Sequence, residues 1–130
     1  MMAAVPAAPL LSEAQALELG QAVADLAGGN ASLRDALLDS LVETIIADVA
    51  AMQTACKTGD RGQLRAAVHR LKGSGGIVRC RALVECIMHL EAAAEAGDAG
   101  AVPYLVSDCA RVGDAVAGAL LALRQDPRGI

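Results

Sequence analysis

Apolar residues recur every three or four positions along most of this chain, the spacing of one buried face on an α-helix. The longest such stripe runs through Leu33, Leu37, Leu41, Ile45, Val49, Met52 and Cys56. It predicts a helix that starts near Asn30 to Ser32 and stops at Gly59. Ahead of it, Ser12 and Gln15 form an S-x-x-Q capping box that opens a first helix, and Gly28-Gly29 end that helix. Asp60 caps a third helix with Gln63 at its N3 position, and Leu64, Val68, Leu71, Gly75 and Val78 mark its buried side. A fourth helix is expected from about Arg81 to Ala96, with Leu83, Ile87, Leu90 and Ala94 inward. After a turn at Gly97–Gly100, Pro103 suits the first position of a last helix. That helix has the stripe Val102, Leu105, Cys109, Val112, Val116, Leu120 and Leu123.

No segment alternates apolar and polar residues as a strand would. Short connections favour antiparallel neighbours, so the pattern predicts an all-α fold. The expected architecture is an antiparallel up-down-up-down four-helix bundle with an additional N-terminal helix. Residues 1–11 read as a flexible leader, 12–124 as the domain and 125–130 as a frayed tail. Composition agrees with closely packed helices: of 130 residues 55% are hydrophobic, yet Phe and Trp are absent and there is a single Tyr. Ala, Leu and Val carry the core. Mean hydropathy is positive, at +0.43. Even so, no uncharged apolar run approaches the roughly 18 residues that a membrane span needs. The apolar start lacks the basic region of a signal peptide. The four cysteines show no CxxC spacing, which argues against a zinc site and for thiols used as small hydrophobes in a reducing cytoplasm.

Charge changes this picture at one place. The chain is net −4, but between Lys57 and Arg81 seven cations face one acid, Asp60, a window of +6 in an otherwise acidic protein. Such a patch points to an anionic partner. Nucleic acid fits poorly, because the acidic remainder repels a phosphate backbone and no aromatic side chain is placed to stack on bases.

At the centre of the patch lies HRLKGSGG, residues 69–76. Positions three, four and seven apart share a helix face, so Arg65, His69, Lys72, Gly73 and Gly76 form one strip, away from the apolar stripe. An imidazole nitrogen is nucleophilic when neutral, the form an ordinary histidine favours near neutral pH. Lys72 and Arg65 could neutralise charge on a phosphoryl group carried there. Gly73 and Gly76 clear the approach for another protein's pocket. Each glycine costs about 1 kcal/mol of helix stability against alanine, so three in one turn need a compensating use or mark a helix break. His89 has no basic neighbours and no glycines, and reads as a surface filler.

These residues resemble a histidine-containing phosphotransfer (HPt) domain, whose pattern is similar to A-H-x-x-K-G-[SA]-[SA] on the third helix. The corresponding residues are Val68-His69-Arg70-Leu71-Lys72-Gly73-Ser74-Gly75, with Leu83, Cys86 and Leu90-Glu91 downstream. The resemblance extends over about residues 14 to 124. Val68 replaces the usual Ala, and Arg79-Cys80 stands where the family often has Gly-Ala, so the resemblance does not fix the shape of that turn. It implies that His69 accepts a phosphoryl group, that Lys72 supports its charge, and that Gly73 leaves room for the partner. Arg65, Arg70, Gly73, Ser74 and Gly76 are then the expected receiver-binding residues.

The implied partners are response-regulator receiver domains, or a hybrid sensor histidine kinase of which this chain is a module. The resemblance implies no kinase activity, no metal or cofactor bound here, and Mg²⁺ in the partner receiver. It also implies a cytoplasmic monomer with no contact to nucleic acid or membrane. A second reading of the residues is a helical adaptor that is never phosphorylated and binds an acidic partner through the patch.

Overall fold

The computed structural model describes residues 11–126, so the expected leader and tail fall largely outside the described residues. Five α-helices follow in order: α1 (Glu13–Ala27), α2 (Ala31–Thr58), α3 (Arg61–Ile77), α4 (Arg81–Glu95) and α5 (Ala101–Arg124). Among the described residues there is no strand.

The ends of these helices follow from local chemistry. Ser12 Oγ accepts from the Gln15 N–H at 3.1 Å while Gln15 Oε1 accepts from the Ser12 N–H at 2.7 Å, so the first capping box closes. Asn30 Oδ1 and Asp60 Oδ1 accept from the N–H groups of Leu33 and Gln63 in the same way. Only half a box forms at Asp60, because its own N–H goes back to the Ala55 carbonyl at 3.0 Å. Gly28 and Gly59 end their helices with φ of 58° and 73°, the left-handed region that a residue without Cβ enters at no steric cost. Pro103 falls third in α5 rather than first. The first turn still tolerates it, since the missing N–H has no intrahelical partner there.

α2 packs against α3 and α5, α4 packs against the same two, and α1 lies on α2 and α5. Leu38, Ile45 and Met52 of α2 meet Leu71, Leu83, Ile87, Leu90, Val116 and Leu120 in one fully buried cluster. Leu33 and Ala94, both expected inside, are exposed: the apolar stripe continues past the point where neighbouring helices cover it. Small residues set the spacing. A Cβ on Gly113 would stand 2.7 Å from Val49 Cγ2, so α5 and α2 approach through a glycine. The single aromatic residue, Tyr104, is 68% exposed and takes no part in the core.

All four cysteines are free thiols, with Cys80 and Cys109 buried and Cys56 and Cys86 half-buried. Burial pushes the Cys109 thiol up to about 12, which holds it neutral as a packing group. Among the described residues no cluster of histidine, cysteine and acidic side chains could hold a metal ion, and no helix is long and apolar enough to cross a membrane.

Candidate functional site

α3 carries HRLKGSGG within one continuous helix, so the three glycines do not break it. His69 is exposed at mid-helix, and its ring makes no hydrogen bond or ion pair among the described residues. Both ring nitrogens are open to a reacting group. Arg65, one turn earlier, is exposed and unpaired. Gly73 and Gly76 are exposed, and a Cβ on either would meet nothing within 4 Å. The expected strip is therefore present, with a bare surface on the C-terminal side of the histidine.

Lys72 is placed differently from a free cation. Its Nζ donates to Glu91 Oε1 of α4 at 3.0 Å, with both side chains partly exposed. The acid lies one turn beyond the buried Ile87 and beside Leu90, where α4 packs on α3. The ammonium is thus held beside the His69 turn by a carboxylate that the charge window between Lys57 and Arg81 did not include.

Two of the expected receiver-binding residues serve the interior instead. Ser74 is 6% exposed and lies with Gly75 on the packed side of α3. Its side chain is enclosed by the bundle, away from a docking partner. Gly75 lies against α4, since a Cβ there would stand 3.2 Å from Val84 Cγ2 and 3.3 Å from Leu83 Cδ2. Arg70 points away from the His69 strip toward α2, where its Nε donates to Asp48 Oδ1 at 2.9 Å. Asp48 is 5% exposed, and its Oδ2 is buried without a hydrogen-bond partner. Arg70 therefore neutralises a buried carboxylate. The signal for Asp48 was in the sequence: it lies three after Ile45 and four before Met52, on the apolar stripe, where an acid requires a cation.

The cationic window is correspondingly weaker than its count. Arg70, Lys72 and Arg79 pair with Asp48, Glu91 and Asp25, each from another helix. Lys57, Arg61, Arg65 and Arg81 remain exposed and unpaired among the described residues. A count along the chain cannot include acids that the fold brings in from elsewhere.

The turn after α3 keeps a glycine-type geometry without a glycine. Arg79 has φ of 56°, and the Cys80 and Arg79 N–H groups bond back to the carbonyls of Gly75 and Gly76. This is the Schellman arrangement, with arginine in the left-handed position. Its guanidinium reaches Asp25 Oδ2 of α1 at 2.9 Å. Hydrogen bonds from Gln21 and Arg79 hold the Asp25 carboxyl below its usual range.

Beside His69 a groove of about 730 Å³ opens between the C-terminal ends of α2 and α4 and the N-terminal parts of α3 and α5. Cys56, Leu64, Ala94 and Val102 contribute apolar surface, while Arg61, Arg65 and His69 lie on one side and Glu91, Glu95 and Asp98 on the other.

An exposed, unengaged histidine on a bundle helix, with a lysine one turn on and a cleared surface, defines a group-carrying module. Residues 36–126 match the family model of the Hpt domain, and the chain belongs to this family. Hpt domains are histidine-containing phosphotransfer modules of two-component systems, and they interact with receiver domains of response regulators. The match begins inside α2, so α1 lies outside it. Searches for similar curated proteins and for similar solved structures return no match.

Proposed function

We propose that His69 accepts a phosphoryl group from the aspartyl phosphate of one receiver domain and passes it to another. Its exposed, unengaged ring beside bare Gly73 and Gly76 carries this reading. The lone pair of a neutral ring nitrogen attacks phosphorus. An N–P bond forms, the P–O bond to the receiver aspartate breaks, and the carboxylate departs with the electron pair. The ring's other N–H proton is then released to solvent. Transfer onward runs the same steps in reverse on a second receiver.

Lys72 is close enough in sequence and face to share its ammonium between Glu91 and the transferred group, which stabilises charge on the phosphoryl oxygens. Phosphoryl transfer depends chiefly on positioning and charge neutralisation, so little more is needed on this chain. Mg²⁺ belongs to the receiver's acidic pocket, and this chain needs no cofactor and no kinase activity of its own. Residues 12–124 act as one cytoplasmic, monomeric module, with α2 to α5 as the up-and-down bundle and α1 added to it. Exposed Arg65, Gly73 and Gly76 meet the receiver.

The test is incubation with a phosphorylated receiver and Mg²⁺. Wild-type chain is expected to take up acid-labile, alkali-stable phosphate, and His69→Gln none. Label on the His69→Gln chain would overturn the assignment. Receiver binding without label on either chain would favour the adaptor reading.

A further inference from the structure

Cys86 and Cys109 meet where α4 packs on α5, and the two thiols share a hydrogen bond. Cys109 lies in the buried core, and Cys86 is half-buried at its edge. Cys86 stands two positions after Val84, about half a turn round α4 from the side that meets Gly75 of α3. The pair is therefore on the far side of α4 from the His69 strip. A single thiol packs as a small hydrophobe, and either residue alone needs no further account. Two thiols in contact across two helices are a different object, because one oxidation joins them.

We propose that Cys86 and Cys109 form a reversible oxidation site, at which hydrogen peroxide converts the thiol pair into a disulfide that ties α4 to α5. Cys86 is the attacking thiol. It is the more open of the two to solvent, and the Cys109 S–H donates to its sulfur, which favours the Cys86 thiolate. That thiolate attacks one peroxide oxygen. An S–O bond forms, the O–O bond breaks, and the departing oxygen keeps the electron pair and leaves as water with the proton Cys86 gave up. Cys109 sulfur then attacks the sulfenic sulfur of Cys86. The S–S bond forms, the S–O bond breaks, and a second water leaves with the Cys109 proton. The two sulfurs lose two electrons, and one hydrogen peroxide becomes two waters.

Burial pushes both thiols up, so thiolate is scarce and the reaction is slow. The site answers sustained oxidant rather than a brief pulse, and in a reducing compartment it returns to thiols by exchange. Cys80 does not compete for Cys86. It lies six positions earlier, about 9 Å along a helix axis, beyond the roughly 7 Å between Cα atoms that a disulfide spans. The bridge closes α4, the turn after it and α5 into one ring, which restricts the unfolded chain and stabilises the folded one.

The experiment takes the full chain, reduced and freed of reductant, and holds it in hydrogen peroxide. Remaining thiols are alkylated after denaturation, and cleavage after glutamate separates Cys86 from Cys109 for mass analysis. The expected product is a link between the Cys86 and Cys109 peptides of one chain, lighter by two hydrogens and released by dithiothreitol. A chain with Cys56→Ala and Cys80→Ala forms the same link. In Cys109→Ala the reaction stops at the Cys86 sulfenic acid, which dimedone traps, and in Cys86→Ala the buried Cys109 stays a thiol. The bridged wild-type chain melts roughly 5 °C or more above the reduced chain, and peroxide-treated Cys109→Ala shows no such rise. Both thiols still open to alkylation after peroxide would overturn the proposal, as would a link through Cys56 or Cys80 or between chains. A bridged chain that melts below the reduced one would overturn it too, since the native helices would then not hold the sulfurs in bonding range.

Discussion

His69 and Arg70 are adjacent on α3 and experience different surroundings. The side that carries His69 is bare, with an unengaged ring, two exposed glycines and an unpaired Arg65. The other side is packed: Arg70 holds the buried Asp48, Ser74 is enclosed, and Gly75 lets α4 approach closely. One helix thus combines a surface left open for a partner with a surface where one added carbon is felt. Glycine shows the contrast most directly, because a Cβ on Gly73 or Gly76 would meet open space and one on Gly75, between them, would crowd two side chains of α4.

The contrast can be tested by substitution, the largest stability effect first. Arg70→Ala leaves the Asp48 carboxylate buried without its cation. It should destabilise by about 2–3 kcal/mol, toward the low end for broken buried pairs because Arg70 is half exposed. Asp48→Ala should cost less, since the freed guanidinium can turn to water; urea denaturation of the two variants measures the asymmetry. Gly75→Leu overfills the contact with Leu83 and Val84 and is expected to cost about 1–3 kcal/mol in the same assay.

On the bare side the sign reverses. Gly73→Ala and Gly76→Ala should each stabilise the chain by about 1 kcal/mol, because nothing opposes the gain in helix propensity. Gly73→Ala should at the same time slow receiver-driven labelling of His69. Stabilisation with slower transfer would show that the glycine serves the partner rather than the fold.

The smallest effect concerns the turn. Arg79→Gly relieves a left-handed backbone and loses an exposed ion pair, and should lie within about 1 kcal/mol of wild type. Arg79→Ala keeps the strain and also loses the pair, so it should be the less stable of the two. Lowering the pH should erase the ion pair's part of each variant's difference from wild type and leave the difference between the two variants unchanged. The Asp25 carboxyl is held below its usual range, so its contribution is present above that range and is lost as pH falls through the depressed pKa.

Much of the fold was legible because helix ends are local events. Ser12, Asn30 and Asp60 cap with their own side chains, and Gly28 and Gly59 stop with their own backbones, whatever the rest of the chain does. Burial is less local. Leu33 and Ala94 follow the apolar period, yet no neighbour covers them. The His69 strip was legible for the same local reason: residues on one helix keep their angular relation. What spacing could not provide was the identity of partners across helices. Asp48, Glu91 and Asp25 lie roughly 20 to 50 positions from the cations they meet, so Arg70 and Ser74 looked like surface residues on a basic patch. Only Asp48 announced itself, as an acid on an apolar stripe.

An aliphatic core with a single exposed phenol has a spectroscopic consequence. Near-ultraviolet absorbance and intrinsic emission of this protein come from Tyr104 alone, exposed in the first turn of α5. Its emission therefore says little about whether the interior is intact and much about the surroundings of the exposed start of α5. A partner that covers the start of α5 would change this signal, provided that the partner's tryptophans are silent or replaced.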